Sequence, residues 1–234
     1  EDKSVVDEYG DGISHDDVDQ NWLGDCSFLS ALAAVAKSNP AAIKKLITGP
    51  NKDGSYNVKL YQRGGFLWMT HKHTIVKVFP KTLEKNGQRT VGMGDQELWV
   101  MLVERAFAQL NGGYDEIWGG WGDDALETLT GEDATYTKIS SYSDDELFTF
   151  VDTKLKAKVP MTTTSINPSG GSKKDIAAGN ANVVTNHVYY VQSISKSKIK
   201  LRNPHNNPTR PGGQELELSL SDYRTYFYRI SYTE

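Results

Sequence analysis

Cysteine is nearly absent: Cys26 is the only one among 234 residues. No internal disulfide framework can form, which fits a reducing compartment without excluding export. Basic charge is not in excess either. Lys and Arg number 26 against 30 Asp and Glu, a net charge of -4, and no basic cluster with interleaved aromatics runs along any segment. A nucleic-acid partner is therefore not expected. No apolar run approaches the ~18 residues of a membrane span, and no charged-then-apolar leader opens the chain. The expectation is a soluble protein, cytoplasmic or secreted. The start at Glu1 without Met reads as a processed chain or an excised domain. Internal repeats and low-complexity tracts are missing as well. What is present is ordinary globular material, 38% hydrophobic and 24% charged, enough for one domain or two small lobes around a cleft.

The acidic opening, with Asp2, Asp7, Glu8, Asp11, Asp16, Asp17 and Asp19, has no apolar period and predicts a surface loop. From Cys26 to about Lys37 small and apolar residues recur with almost no charge, the pattern of a helix buried nearly all round. Asn39-Pro40 ends it and opens a short helix through Leu46. Tyr56–Tyr61 and Phe66–Phe79 predict a hairpin turning at Arg63-Gly64-Gly65. Leu98, Leu102, Ala106 and Leu110 mark an amphipathic helix over Asp95–Leu110, stopped by Asn111-Gly112-Gly113. A shorter helix follows at Asp123–Leu129, and composition changes after Gly131-Glu132. Ser143 and Glu146 form a capping box for a helix over Asp144–Lys156. Then come strand-like runs at Val159–Ser165, His187–Ser195, Lys198–Arg202, Glu215–Leu220 and Tyr226–Tyr232. Helices first and an antiparallel sheet second indicate an α+β fold, with residues 1–131 as one lobe, 132–234 as the other, and a cleft between them.

Cys26 sits in "QNWLGDCSFLSALAAVA", where a helix begins. The positive end of the helix dipole favours a thiolate there, and the same amides can face an oxyanion; a lone cysteine in an apolar helix is equally a small hydrophobe. The partners decide. His187 opens a strand after a polar run, and Asn203 closes the next strand with Pro204 behind it. An Asn oxygen accepting from one ring nitrogen would aim the other at the thiol, the logic of a Cys-His-Asn triad. Elsewhere, His71 and His73 share one strand face without a third ligand in helpful spacing. "VGMGD" reads as a turn rather than a phosphate loop.

The segments "QNWLGDCSFLSALAAVA", "ELWVMLVERAFAQLNGGYDEIWGG", "DDALETLTG", "NHVYYVQSI", "LRNP" and "LSLSDYRTYF" resemble, in this order, the landmarks of the calpain protease core, from about Gln20 to Ile230. The resemblance implies a papain-like fold of two lobes forming one catalytic domain, and hydrolysis of internal peptide bonds through a thioester acyl-enzyme. It makes Cys26 the nucleophile, His187 the base and acid, Asn203 the residue orienting it, and Gln20 the oxyanion donor. Gly24, Gly119, Gly120 and Asn186 fall on its substrate side. Protein or peptide substrates are implied, and a proteinaceous inhibitor is a conceivable partner. The family's calcium site in the first lobe maps onto the carboxylates of Asp17 and Glu104 and the carbonyls of Gly10 and Gly12, oxygen ligands suited to a hard cation. The bland reading makes Asp17 a solvated acid and pairs Glu104 with Arg105 on an exposed face. The second-lobe calcium site finds no acid between Asn203 and Glu215 and is expected to be missing.

Three positions depart from the family pattern. Ser27 stands where Trp usually follows the cysteine, His205 where Trp usually follows Asn-Pro, and Asn186 where Gly usually precedes the histidine. The second change predicts a wetter His187–Asn203 bond or an imidazole perturbing His187. Competing readings are a non-catalytic calpain-like scaffold, a toxin or effector protease with one specific target, and an acyl transferase; the intact Cys26, His187, Asn203 and Gln20 favour the protease.

Overall fold

The computed structural model describes residues 12–20, 23–64, 70–80, 84–85, 88–89, 98–205 and 213–234. A 3-10 turn at His15–Asp17 is followed by α1 (Cys26–Ser38) and α2 (Pro40–Lys44). The strands β1 (Ile47–Thr48), β2 (Tyr56–Gly64) and β3 (Thr70–Val78) form a small antiparallel sheet, and β4 (Glu84–Lys85) pairs with β5 (Gln88–Arg89). Next come α3 (Leu98–Leu110) and α4 (Gly122–Thr130). The remainder is β6 (Ala134–Lys138), α5 (Asp144–Lys156), β7 (Met161–Ser165), α6 (Lys173–Asn180), β8 (Val188–Ile194), β9 (Lys198–Arg202), β10 (Glu215–Ser219), α7 (Leu220–Tyr226) and β11 (Phe227–Thr233). Six of these strands make one antiparallel sheet in the order β10-β9-β8-β7-β11-β6.

The mixed α and antiparallel β composition matches the expected class. The hairpin and the capping box of α5 both form. Arg63 and Gly64, expected in the turn, instead extend β2 and pair with His71 and Thr70; Gly65, the first residues expected of α3 (95–97) and "VGMGD" lie outside the described residues. Two short helices, α6 and α7, were not foreseen, because the polar composition of "KKDIAAGN" and "LSDYRTY" carries little apolar period; Ser172 and Ser219 cap them at the N-terminus.

Helix α1 is buried from Ser27 to Ala36 without interruption. It lies in the larger apolar cluster with α3, α4 and the β1–β3 sheet, and touches the six-stranded sheet through Tyr190. The Ser30 hydroxyl, on the same helix, donates to the Val188 carbonyl of β8 at 2.8 Å. A second apolar cluster lines the other face of that sheet, with Leu147 and Val151 of α5 against Tyr189, Val191 and Leu201. The N-terminus of α1 is thereby fixed against the end of β8, which brings Cys26 near the residues preceding Val188.

Gly131 caps α4 at φ 71°, and a Cβ there would meet the Tyr61 ring at 2.6 Å. Left-handed backbone and contact act together, so Gly131→Ala is expected to destabilise the protein by about 2 kcal/mol or more. A urea midpoint equal to wild type would show that neither matters.

Candidate active site

A cleft of about 900 Å³ is lined by Gln20, Gly24, Cys26, Trp118, Trp121, His187 and His205, among others. Its chemistry begins with a buried bond. His187 Nε2 and Asn203 Oδ1 are 2.8 Å apart, with His187 6% and Asn203 0% exposed. The expectation of a wetter bond is thus corrected: His205 lies over it, its ring parallel to that of His187 at 5.3 Å between centroids, and its backbone N–H donates to the same Asn203 oxygen at 3.1 Å. Because Oδ1 accepts from both sides, the Asn amide has one orientation and His187 carries its proton on Nε2. The lone pair of Nδ1 is left for the cleft.

Burial dominates the electrostatics. It lowers His187 to about 4, partly offset by the Asn203 bond, with the His205 imidazole acting in the same direction as burial. It raises the Cys26 thiol to about 11, and the neighbouring Asp25 pushes the same way. The expected lowering by the helix N-terminus is therefore overturned in this arrangement: desolvation outweighs the dipole. The resting pair is thiol and neutral imidazole.

Gln20 is 2% exposed; its Nε2 donates to the Leu23 carbonyl at 2.5 Å and to Asp25 Oδ1 at 3.4 Å. The substrate-side residues gather on one wall. Gly119 N–H donates to the Gly24 carbonyl at 2.7 Å, and the Ser27 hydroxyl to the Gly119 carbonyl at 2.7 Å. Ser27 thus serves as a strut beneath the wall. Gly119 and Gly120 adopt φ 82° and 104°, conformations that L side chains rarely tolerate. Trp118 crosses over Gly24, where a Cβ would meet its ring at 2.9 Å. Trp118 and Trp121 are 55% and 48% exposed, so neither is a core aromatic. Trp121 is held by the Arg229 guanidinium, which lies 4.5 Å from its ring and 3.9 Å from that of Tyr136 and bonds Asp123. Asn186 has φ 51°, the left-handed conformation that explains a Gly there in relatives and that Asn tolerates best among other residues.

Two clusters escaped sequence reasoning. Asp25 and Glu104 are both 0% exposed and face each other, burial raising Asp25 to about 7 and Glu104 well above its usual range. No donor from the described residues reaches either Glu104 oxygen, and burial favours the neutral, protonated acid there. The exposed Glu104–Arg105 pairing is corrected accordingly: nothing in "VERAF" signals which face of so apolar a helix is buried deepest. The second cluster joins His71 of β3 to Glu127 and Asp133, with ring nitrogens 3.8 Å and 3.9 Å from their carboxylates. Chain order hid these partners. Glu127 is also clasped by Arg63.

The carboxyl pair carries a pH prediction. A carboxyl raised on folding contributes stability that is present below its ordinary value near 4 and lost as pH climbs through the raised value, here about 7 for Asp25. Glu104→Gln removes one acid and gives Asp25 an amide donor. Its thermal midpoint is expected above wild type by about 2–4 °C at pH 8, the size of about 1 kcal/mol in a chain of this length, shrinking toward pH 5. A midpoint below wild type at pH 8 would contradict the repulsion.

The expected calcium ligands are not drawn together. Asp17 Oδ2 accepts from the Ser14 backbone at 2.7 Å and from Trp99 Nε1 at 3.0 Å, closing a capping box. Glu104 faces Asp25 instead. Gly12 is described but Gly10 and the second-lobe loop (206–212) are not. Among the described residues, three side chains of metal-binding type converge at His71, Glu127 and Asp133. As they stand, the expected calcium ligands do not fit a cation: Asp17 is engaged by Ser14 and Trp99, and burial favours the neutral acid at Glu104.

A family model described as calpain family cysteine protease matches residues 5–212. The chain belongs to the calpain family. Its curated relatives include the calpain-type cysteine protease DEK1 of Arabidopsis thaliana, 27% identical over 212 residues covering 84% of this chain and 9% of that protein. Calpain-7 of Homo sapiens is 29% identical over 212 residues, 82% of this chain and 25% of its own. The calpain-type cysteine protease ADL1 of Oryza sativa subsp. japonica is 32% identical over 131 residues, 53% of this chain and 6% of its own. The chain thus spans at most a quarter of the length of these three calpains. Among the described residues, no helix is long and apolar enough to cross a membrane.

Proposed function

We propose that this calpain-family chain is a cysteine endopeptidase acting on protein or peptide substrates through a Cys26-His187-Asn203 triad, in a papain-like arrangement of two lobes, residues 1–131 and 132–234, that meet at the cleft. The observation that carries the reading is the buried His187–Asn203 bond opening onto a cleft that Cys26 also lines. His187 Nδ1 takes the thiol proton as Sγ attacks the scissile carbonyl, and the carbonyl oxygen takes the Gln20 N–H that otherwise reaches Asp25 at 3.4 Å. The proton then passes to the departing amine, leaving a thioester on Cys26. Water, activated by the same Nδ1, hydrolyses the thioester and restores the thiol. Asn203 fixes the imidazole through all steps.

Gly119, Gly120 and the exposed Trp118 and Trp121 form the wall along which an extended peptide would lie, with Gly24 and Asn186 at its ends. Calcium is proposed as an aid to alignment only, and no step runs through it. Labelling with a peptidyl chloromethyl ketone tests the reading. Alkylation at Cys26 is expected in wild type and in neither Cys26→Ala nor His187→Ala; equal labelling of His187→Ala would remove the base from the account.

A further inference from the structure

The backbone of Gln20 is gripped at both of its polar groups by the two residues that follow Asn203. Its N–H donates to the Pro204 carbonyl at 2.7 Å, and its carbonyl accepts from His205 Nδ1. His205 in turn donates its own N–H to Asn203 Oδ1 and stacks on His187. One residue therefore touches the segment carrying the oxyanion donor, the orienting asparagine and the base. A tryptophan, which usually occupies this position in relatives, has no ring donor at the Nδ1 position. The side chain of Gln20 is steadied further along, on Leu23 and Asp25, so His205 and Pro204 hold the backbone from which that side chain reaches.

We infer that His205 is a positioning residue: its Nδ1–H bond to the Gln20 carbonyl sets the oxyanion donor in register with the His187–Asn203 pair. The inference rests on the proposed protease reading. It requires a step-specific effect, because only acyl transfer develops an oxyanion. Alkylation by iodoacetamide does not: Sγ forms a bond to an sp³ carbon as the carbon–iodine bond breaks, iodide leaves, and the thiol proton goes to His187. The two reactions share Cys26 and His187 and differ in their need for Gln20.

The test compares hydrolysis of fluorescently labelled casein with the iodoacetamide alkylation rate of Cys26 in wild type, His205→Phe, His205→Ala and His205→Asn. Phe keeps a ring without the donor; Ala removes both; Asn places an amide N–H where Nδ1–H was. Expected for Phe, which keeps a ring over the His187–Asn203 bond, is a fall in kcat of between about 10- and 100-fold, the range from one lost hydrogen bond to a displaced catalytic group, with KM and the alkylation rate near wild-type values; Ala, which also uncovers that bond, should lose more in kcat than in alkylation. Asn is expected to restore most of kcat, and in a Gln20→Ala background the His205 substitutions should have no further effect. Alkylation falling in parallel with hydrolysis, unchanged hydrolysis, or an Asn variant no better than Phe would each overturn the inference. A wild type that neither hydrolyses casein nor alkylates faster than a free thiol would instead overturn the protease reading beneath it.

Discussion

Cys26→Ala is expected to abolish casein hydrolysis, with a loss of roughly 10⁴-fold or more, the scale seen when a covalent nucleophile is removed from a triad. The loss should occur with and without calcium and without a change in fold. Sγ is the atom to which the acyl group bonds, and Cys26 is the only cysteine in the chain, so no neighbouring thiol can substitute. The methyl of Ala fits the same space at the start of α1, where the backbone is held by its own helix and by the links from Gly24 and Ser27 to Gly119. A mutant that hydrolyses casein at the wild-type rate, measured by release of acid-soluble fluorescence, would place the activity elsewhere.

The second large effect concerns the base. His187→Ala is expected to lower kcat by roughly 10² to 10⁴, the usual worth of positioned acid–base catalysis. In this protein the effect should fall at the upper end. The thiol is raised to about 11, so little thiolate exists at neutral pH without a proton acceptor beside it. Raising the pH should therefore recover part of the mutant's activity, because hydroxide replaces the missing base, while wild type gains much less. Asn203→Ala should show a smaller loss with the same sign, since the imidazole remains but its Nε2 proton no longer has the acceptor that fixes the tautomer. A His187→Ala enzyme with flat pH dependence and near-normal kcat would mean that the thiol ionises by another route. Stopped-assay rates from pH 6 to pH 9 read this directly.

Much of this site was legible in the sequence because its residues announce themselves locally. Cys26 heads an apolar run, His187 follows a polar one, and Asn203 precedes a proline. Their partners at long range were not legible. Asp25, just before the helix, is a fully buried acid with no cap bond, and nothing local in the sequence marks it as such. Glu104 looked surface-exposed because it precedes Arg105, yet α3 is buried on nearly every side. The lowered thiol expected from the helix dipole failed for a related reason: the dipole is visible in the sequence, but the depth of burial that outweighs it is set by α1 packing against β8. The role of Ser27 was hidden too. Only the fold brings its hydroxyl to the Gly119 carbonyl, and only the fold makes His205 a neighbour of Gln20. Asn186 is the reverse case, where a departure from the family pattern is the non-glycine residue best suited to its backbone.

The measurement that bears most directly on the central claim is acid quenching during turnover. Wild-type protein mixed with a casein-derived peptide and quenched in the pre-steady state should carry an acyl group in thioester linkage on Cys26, labile to hydroxylamine and located by mass spectrometry of the fragment containing that residue. The account predicts that this species forms before product accumulates, is absent in Cys26→Ala, and forms more slowly in His187→Ala. Peptide hydrolysis that proceeds with no acyl group on Cys26 at any quench time, together with equal turnover by Cys26→Ala, would contradict it.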